Sequence, residues 1–362
     1  MPPRTSKDPV ARDLASGALH DAIAEIAEDA ARLILPYWRS GAAVQVKSDD
    51  SPVTLADQQA EALILSRLAD LYPGVQTVAE EQAAADGVPD AAEGRFWLID
   101  PLDGTKGFIA GKESFTVNIA LIQDGVGVAA VVSAPATETT WSTGPDGARK
   151  RRFGEPWRPI KVRDRPDRPA ALLSYTMTDD EAERLSARHG CTAWQGMDSS
   201  IKFCLIAEGS FDVYPRTGQT SEWDTAAGQT VLEAAGGRVV VDDGSPLMYG
   251  KPGFKNGAFV AMGGRGSGSQ RQDRRHVTTP CRQHHRNGER LELRQDADGQ
   301  NRPDRRPHDV EIFSVKKRQT AQTPKSQAEQ LGKIMMRGRF TAELGEADQM
   351  VADLHRDDDE RR

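Results

Sequence analysis

Leu19, Ile23, Ile26, Ala30, Leu33 and Tyr37 recur at alternating four- and three-residue spacings, which predicts an amphipathic helix over about 13–38. Pro36 marks its expected end or a kink. After the polar stretch Lys47-Ser48-Asp49-Asp50-Ser51-Pro52, a second helix is predicted from about Thr54 to Leu71. Thr54 and Asp57 are spaced there as a cap and a first-turn acid.

The pattern then turns to strands. Val75–Ala79 reads as a short strand running into the paired acids Glu80-Glu81. Phe96-Trp97-Leu98-Ile99 reads as a buried strand that should stop at Asp100, because Pro101 cannot extend a ladder. Phe115–Gln123 and Val126–Ser133 are apolar runs joined by Asp124-Gly125, a hairpin signal. Residues 143–152 are polar and glycine-rich and predict a loop between two halves. Beyond it come a strand at Ala170–Tyr175 and an acid-capped helix from Asp179. The segment Gly196–Gly209 is small and polar first, then helical. Phe211–Tyr214 alternates like a half-buried strand and delivers Arg216 just past its end. A helix opens at Trp223-Asp224-Thr225, with Asp224 placed as its N-cap, and ends at Gly236-Gly237. Arg238–Val241 and Gly257–Met262 supply the last strands.

From Gly263 the texture changes. Gly263-Gly264-Arg265-Gly266-Ser267-Gly268-Ser269-Gln270 is a linker by composition, and the remainder is rich in Arg, Gln, Asp, Pro and His. The expected organisation is a body over 1–262, with halves at about 10–150 and 151–262, and a low-complexity tail over 263–362. Three readings of the tail stand open: a disordered extension, an interaction arm, or an out-of-frame read-through. A short helix near 327–336 fits the pattern, while Cys281 with His284 and His285 lacks the second half of a metal site.

Charge sharpens this division. The tail holds 21 basic and 17 acidic residues, which leaves the body 26 basic against 37 acidic. Such an acidic body argues against nucleic acid as a bulk partner and suits carboxylates that need cations. Three cysteines form no disulfide framework and fit a reducing cytoplasm. No run approaches the ~18 apolar residues of a membrane span, and the first residues lack a signal-peptide core. The body holds only His20 and His189, which argues against a histidine-driven triad.

The candidate chemistry sits at Asp100-Pro101-Leu102-Asp103-Gly104-Thr105. A turn there lets Asp100, Asp103 and the Leu102 carbonyl converge, and hard oxygen ligands at a strand end suit Mg²⁺. The amides of Gly104 and Thr105 are placed to meet a phosphate. Asp-Pro and Asp-Gly are also ordinary turn chemistry, so this motif alone leaves a plain turn open.

Three motifs in order carry a resemblance: Glu80-Glu81, the 100–105 motif, and Trp223-Asp224-Thr225-Ala226-Ala227-Gly228 with Gly236-Gly237 beyond it. From about Leu14 to Met262 the chain resembles the lithium-sensitive, Mg²⁺-dependent phosphatases of the inositol monophosphatase superfamily. Asp103-Gly104-Thr105-Lys106, Phe115–Ile122, Ser199–Cys204 and Val213–Arg216 make it most similar to the CysQ-type 3'(2'),5'-bisphosphate nucleotidases. One departure is Gly107, where those proteins usually carry Glu.

The resemblance implies an α+β fold, a layered αβαβα sandwich of the inositol monophosphatase type. It implies Glu80, Asp100, Asp103, Asp224 and the Leu102 carbonyl as ligands of two or three Mg²⁺ ions per site, with Asp57 assisting a weaker ion through its bound water. Thr105, hydrogen-bonded to Asp57, would orient the attacking water with Glu80 in the catalytic set. Gly104, Thr105, Ser199, Lys202 and Arg216 would bind substrate, Lys202 and Arg216 as rim cations for a second phosphate. The implied substrate is adenosine 3',5'-bisphosphate, in a cytoplasmic protein that is by analogy peripheral to the inner membrane, with a homodimer allowed. The alternatives are an inositol monophosphatase or other small phosphate-ester phosphatase, and a non-catalytic phospholigand-binding protein with a basic interaction tail.

Overall fold

In the computed structural model, the described residues are 8–40, 44–46, 52–89 and 94–264. The expected helix and loop pattern of 265–362 lies outside them, although Gly263 and Gly264 are still tied in, donating to the carbonyls of Asp212 and Arg163.

The span of about 13–38 expected as one helix falls in two, α1 (Pro9–Ser16) and α2 (Ala18–Ser40), with the apolar stripe from Leu19 to Tyr37 all on α2. The break falls at Gly17, whose φ of 84° ends α1 in the left-handed region. Pro36 does not end α2: the helix runs one further turn to Ser40. A proline near a helix end removes one ladder bond there and little else. A short pair, β1 (Val44–Val46) and β2 (Pro52–Thr54), leads into α3 (Leu55–Leu71).

A seven-stranded sheet follows. Its members are β3 (Gln76–Ala79), β4 (Arg95–Asp103), β5 (Thr116–Gln123), β6 (Val126–Ala134), β7 (Thr139–Gly144), β8 (Gly147–Arg152) and β9 (Arg158–Pro159), in spatial order of sequence. Only β3 and β4 are parallel, with α4 (Glu80–Asp86) in the crossover, and α5 (Thr105–Ile109) links β4 to β5. The Asp124-Gly125 turn has φ of 53° and 80°, as a tight hairpin requires.

The 143–152 stretch, expected as a loop, is instead the β7–β8 hairpin. Its cations, half-buried against α2, hid the strand pattern: Arg149 pairs with Asp21 at 2.7 Å and Arg151 with Glu28 at 2.7 Å. Both guanidiniums also lie over the Trp157 ring.

The second sheet has spatial order β11 (Ala193–Met197), β10 (Ala170–Ser174), β12 (Val213–Arg216), β16 (Phe259–Met262) and β14 (Arg238–Val240). Along the chain, α6 (Asp179–Arg188), α7 (Ile201–Ala207), β13 (Thr220–Ser221), α8 (Trp223–Ala234) and β15 (Lys255–Asn256) fall between its strands.

Side-chain alternation stacks these into layers. On β4, Trp97 and Ile99 face α2 and α3, while Phe96 and Leu98 face α7 and α8. Both faces of the seven-stranded sheet are therefore covered, which explains its nearly unbroken apolar runs. α7 and α8 are in turn covered by the second sheet through Phe203 against Tyr214 and Phe259. Cys204 is fully buried in that central layer. On the far face Ala171, Leu173 and Val213 pack on Ala182 and Leu185 of α6. The result is an αβαβα sandwich. Among the described residues no helix is long and apolar enough to cross a membrane.

Candidate active site

The β4 strand does not stop at Asp100. Pairing runs to Asp100↔Asn118, slips, and resumes at Asp103↔Thr116. One extra residue on β4 makes this a bulge, and Pro101 sits within it, where the ladder needs no N–H. The bulge re-aims the strand end. Asp100 is 1% exposed and its Oδ1 accepts the Leu102 N–H at 3.1 Å. Gly104 follows with φ of 93°, and a Cβ there would stand 3.1 Å from the Ser114 carbonyl. Glycine is required on both counts. Thr105 opens α5, its Oγ1 lying 3.0 Å from the Leu102 carbonyl and 3.3 Å from Asp57 Oδ1.

Asp57 reaches this point from α3. Its Oδ2 accepts the Thr54 N–H at 2.8 Å and the Thr54 hydroxyl at 2.5 Å, so the cap expected from sequence is formed. The other oxygen faces Thr105. One buried carboxylate thus joins the start of α3 to the turn after β4.

Asp103 is held from the opposite side of the fold. Its Oδ2 accepts the Ser200 N–H at 2.5 Å and Asn118 Nδ2 at 3.4 Å. The Ser200 hydroxyl donates to Asn118 Oδ1 at 2.7 Å and lies 3.0 Å from Thr116 Oγ1. Sequence reasoning gave Thr116, Asn118 and Ser200 no role. The available signal was polar residues at alternating positions of an otherwise apolar strand.

Glu80 is the first residue of α4. Asp224, expected as an N-cap, is instead the second residue of α8, after the cap residue Glu222. Its Oδ2 accepts the Ser221 N–H at 2.8 Å. Glu222, fully buried, accepts the Gly250 N–H at 2.7 Å and pairs with Lys251 at 2.6 Å.

Electrostatics bind the acids into one neighbourhood. Burial, then Glu80, Asp103, Asp224 and Asp57, push the Asp100 carboxyl well above its usual value. Burial and neighbouring acids raise Asp103 to about 7 and Asp224 to about 8, with Lys202 opposing the rise at Asp103. Among the described residues no three such side chains converge closely enough to define an ion position by themselves. The donor set nonetheless fits a hard divalent cation: all-oxygen, with Asp100 buried and Glu80, Asp103 and Asp224 half-buried, and costly to ionise without compensating charge.

Facing the acids is the loop from β11 to α7. Ser199 has φ of 58°, and its N–H donates to Asp198 Oδ1 at 3.0 Å. Lys202 is not a rim cation. It is 4% exposed, and its Nζ donates to the carbonyls of Ser199 at 2.6 Å and Met197 at 3.4 Å. The first turn of α7 packs it over the Tyr214 ring, 4.9 Å from the centroid. Burial lowers its pKa to about 8. Arg216 ends β12, and its Nε is buried without a hydrogen-bond partner among the described residues. Gly107 is buried, and a Cβ there would stand 3.2 Å from Asp198 Oδ2. A glutamate at 107 would bring two carboxylates together. Beside it, a cavity of about 470 Å³ is lined by Lys112, Ser114, Tyr175, Met197 and Asp198 among others.

The five-layer sandwich is the fold of the inositol monophosphatase type of phosphatase. The chain belongs to the inositol monophosphatase family, whose pattern matches residues 18–274. It is 44% identical over 204 residues to the 3'(2'),5'-bisphosphate nucleotidase CysQ of Salmonella typhimurium, covering 56% of this chain and 81% of that protein. It is 39% identical over 232 residues to the protein of the same name from Escherichia coli, covering 63% and 93%. The structure of CysQ from Bacteroides thetaiotaomicron superposes with a TM-score of 0.56 at 31% identity, covering 68% of this chain and 97% of that one. An inositol monophosphatase from Anabaena gives a TM-score of 0.54 at 26% identity, covering 68% and 91%.

Proposed function

We propose that the protein is a Mg²⁺-dependent, lithium-sensitive 3'(2'),5'-bisphosphate nucleotidase of the cytoplasm. It removes the 3'-phosphate of adenosine 3',5'-bisphosphate, giving AMP and phosphate. The observation that carries this reading is the acidic neighbourhood that Asp100 shares with Glu80, Asp103, Asp224 and Asp57 beside the Gly104-Thr105 turn, in a chain similar to several nucleotidases of that name.

Glu80, Asp100, Asp103, Asp224 and the Leu102 carbonyl are the proposed ligands, with Asp57 serving a further, weaker ion. Bound Mg²⁺ supplies positive charge to the phosphoryl oxygens and makes water a better nucleophile near neutral pH. Thr105 Oγ1, within reach of Asp57, orients the attacking water and passes its proton toward that carboxylate. The Gly104 and Thr105 amides point the scissile phosphate in line. Ser199 and Arg216 hold the rest of the nucleotide, the orphaned Arg216 Nε suiting a second phosphate. Lys202 acts from beneath, fixing the Ser199 carbonyl and adding positive charge behind the site.

Phosphate release from adenosine 3',5'-bisphosphate and from inositol 1-phosphate, with Mg²⁺ and with or without Li⁺, tests this directly. Release from the nucleotide, inhibited by Li⁺, is the expected result. A preference for inositol 1-phosphate moves the substrate, and no release from any ester overturns the enzymatic reading.

A further inference from the structure

Glu61 stands outside every role described so far. It lies one helical turn beyond Asp57 on the same face of α3, and both are buried, at 5% and 2% exposure. Its Oε2 accepts the Glu81 N–H and its Oε1 the Gln82 N–H, each at 2.8 Å. These are the second and third amides of α4, the ones an N-cap side chain ordinarily satisfies. The N-cap residue is Ala79, at φ −119° and ψ 149°, which has cap geometry and no side chain to use it.

We infer that Glu61 is the N-cap of α4, supplied from a different helix, and that it positions Glu80. Glu80 is the first residue of α4, so the cap fixes both the start of that helix and the origin of the Glu80 side chain. The bidentate contact also ties α4 to α3, and therefore to Asp57 and Thr105. One face of α3 thus sets two separate segments of the site. Glu61 is a positioning residue. The cap rests on geometry alone, whereas its consequence for metal rests on the proposed role of Glu80.

Glu61→Gln keeps size and shape but can accept only one of the two amides, and its own NH₂ opposes the other. The experiment measures hydrogen exchange across residues 80–83 in metal-free protein and Mg²⁺ affinity by calorimetry. The expected result is lost protection at Glu81 and Gln82, with Mg²⁺ binding weakened on the order of 10-fold. The decisive arm adds Ala79→Ser, which gives α4 a cap of its own. In the Glu61→Gln background it should restore both protection and most of the Mg²⁺ affinity. Unchanged protection in Glu61→Gln overturns the capping role. Failure of Ala79→Ser to restore binding despite restored protection overturns the positioning role and makes Glu61 a ligand. Absence of Mg²⁺ binding by the unaltered protein defeats the metal reading while leaving the exchange result to decide the cap.

Discussion

The two walls of the site are built on opposite electrostatic terms. The wall from the seven-stranded sheet and α3 carries Asp57, Asp100 and Asp103, and burial and neighbouring acids push Asp100 and Asp103 toward the protonated form. The wall from the β11–α7 loop, the first turn of α7 and β12 carries Ser199, Lys202 and Arg216, with Lys202 pushed toward its neutral form. Each wall holds charge that its own surroundings disfavour. The acids need cations and the cations need anions, and the proposed metal–phosphate pair between them would supply both. Asp224 comes from the helical layer between the sheets, so the acid wall is shared across layers.

Asp103→Asn should break the comparison most completely. Asp103 is where the walls touch, through the Ser200 N–H. Phosphate release should fall by roughly 10³-fold or more, with calorimetric Mg²⁺ binding weakened in parallel. Activity within ~10-fold of the unaltered protein would remove Asp103 from the metal site.

Thr105→Val tests the proton path on the acid wall alone. The side chain keeps its shape and loses its hydroxyl, so kcat should drop by about 10²–10³-fold with KM nearly constant. A change confined to KM would make Thr105 a binding residue.

Arg216→Gln addresses the other wall. KM for adenosine 3',5'-bisphosphate should rise on the order of 10-fold, while kcat and turnover of a monophosphate ester change little. Equal losses on both substrates would mean that Arg216 does not read the second phosphate.

The last test reads stability, through pH. Metal-free, Asp103 and Asp224 keep their protons to about 7 and about 8, against an ordinary value of 3.8. Between those limits the folded state binds more protons than the unfolded state, so stability falls as pH rises. Each excess proton sets a slope of ~1.4 kcal/mol per pH unit. Thermal unfolding in chelator should therefore drop to lower temperature from pH 5 to 8, and saturating Mg²⁺ should flatten the curve. A metal-free curve that rises over that range would contradict the buried-acid account.

Much of this was legible because local chemistry and global fold agree. The Asp124-Gly125 turn, the Thr54–Asp57 cap and the order of the three motifs each follow from short-range rules. What escaped depended on partners distant in sequence. The β7–β8 strands read as loop because their cations are satisfied by Asp21 and Glu28, more than 120 residues away. Lys202 read as a rim cation because nothing local announces that Tyr214 covers it. Glu61 left a fainter trace: with Asp57 it interrupts the buried stripe of Ala56, Ala60, Ile64 and Leu68, where a solvated acid has no place.

Cys204 gives the central layer a clock. Burial raises its thiol well above the usual value, so it stays protonated and out of reach while the two sheets are closed over α7. In a chain with Cys191 and Cys281 changed to serine, a thiol reagent reacts only at moments when those sheets part. The labelling rate then times the opening of the sandwich, and its slowing by Mg²⁺ measures how firmly an ion at one edge holds the layers shut.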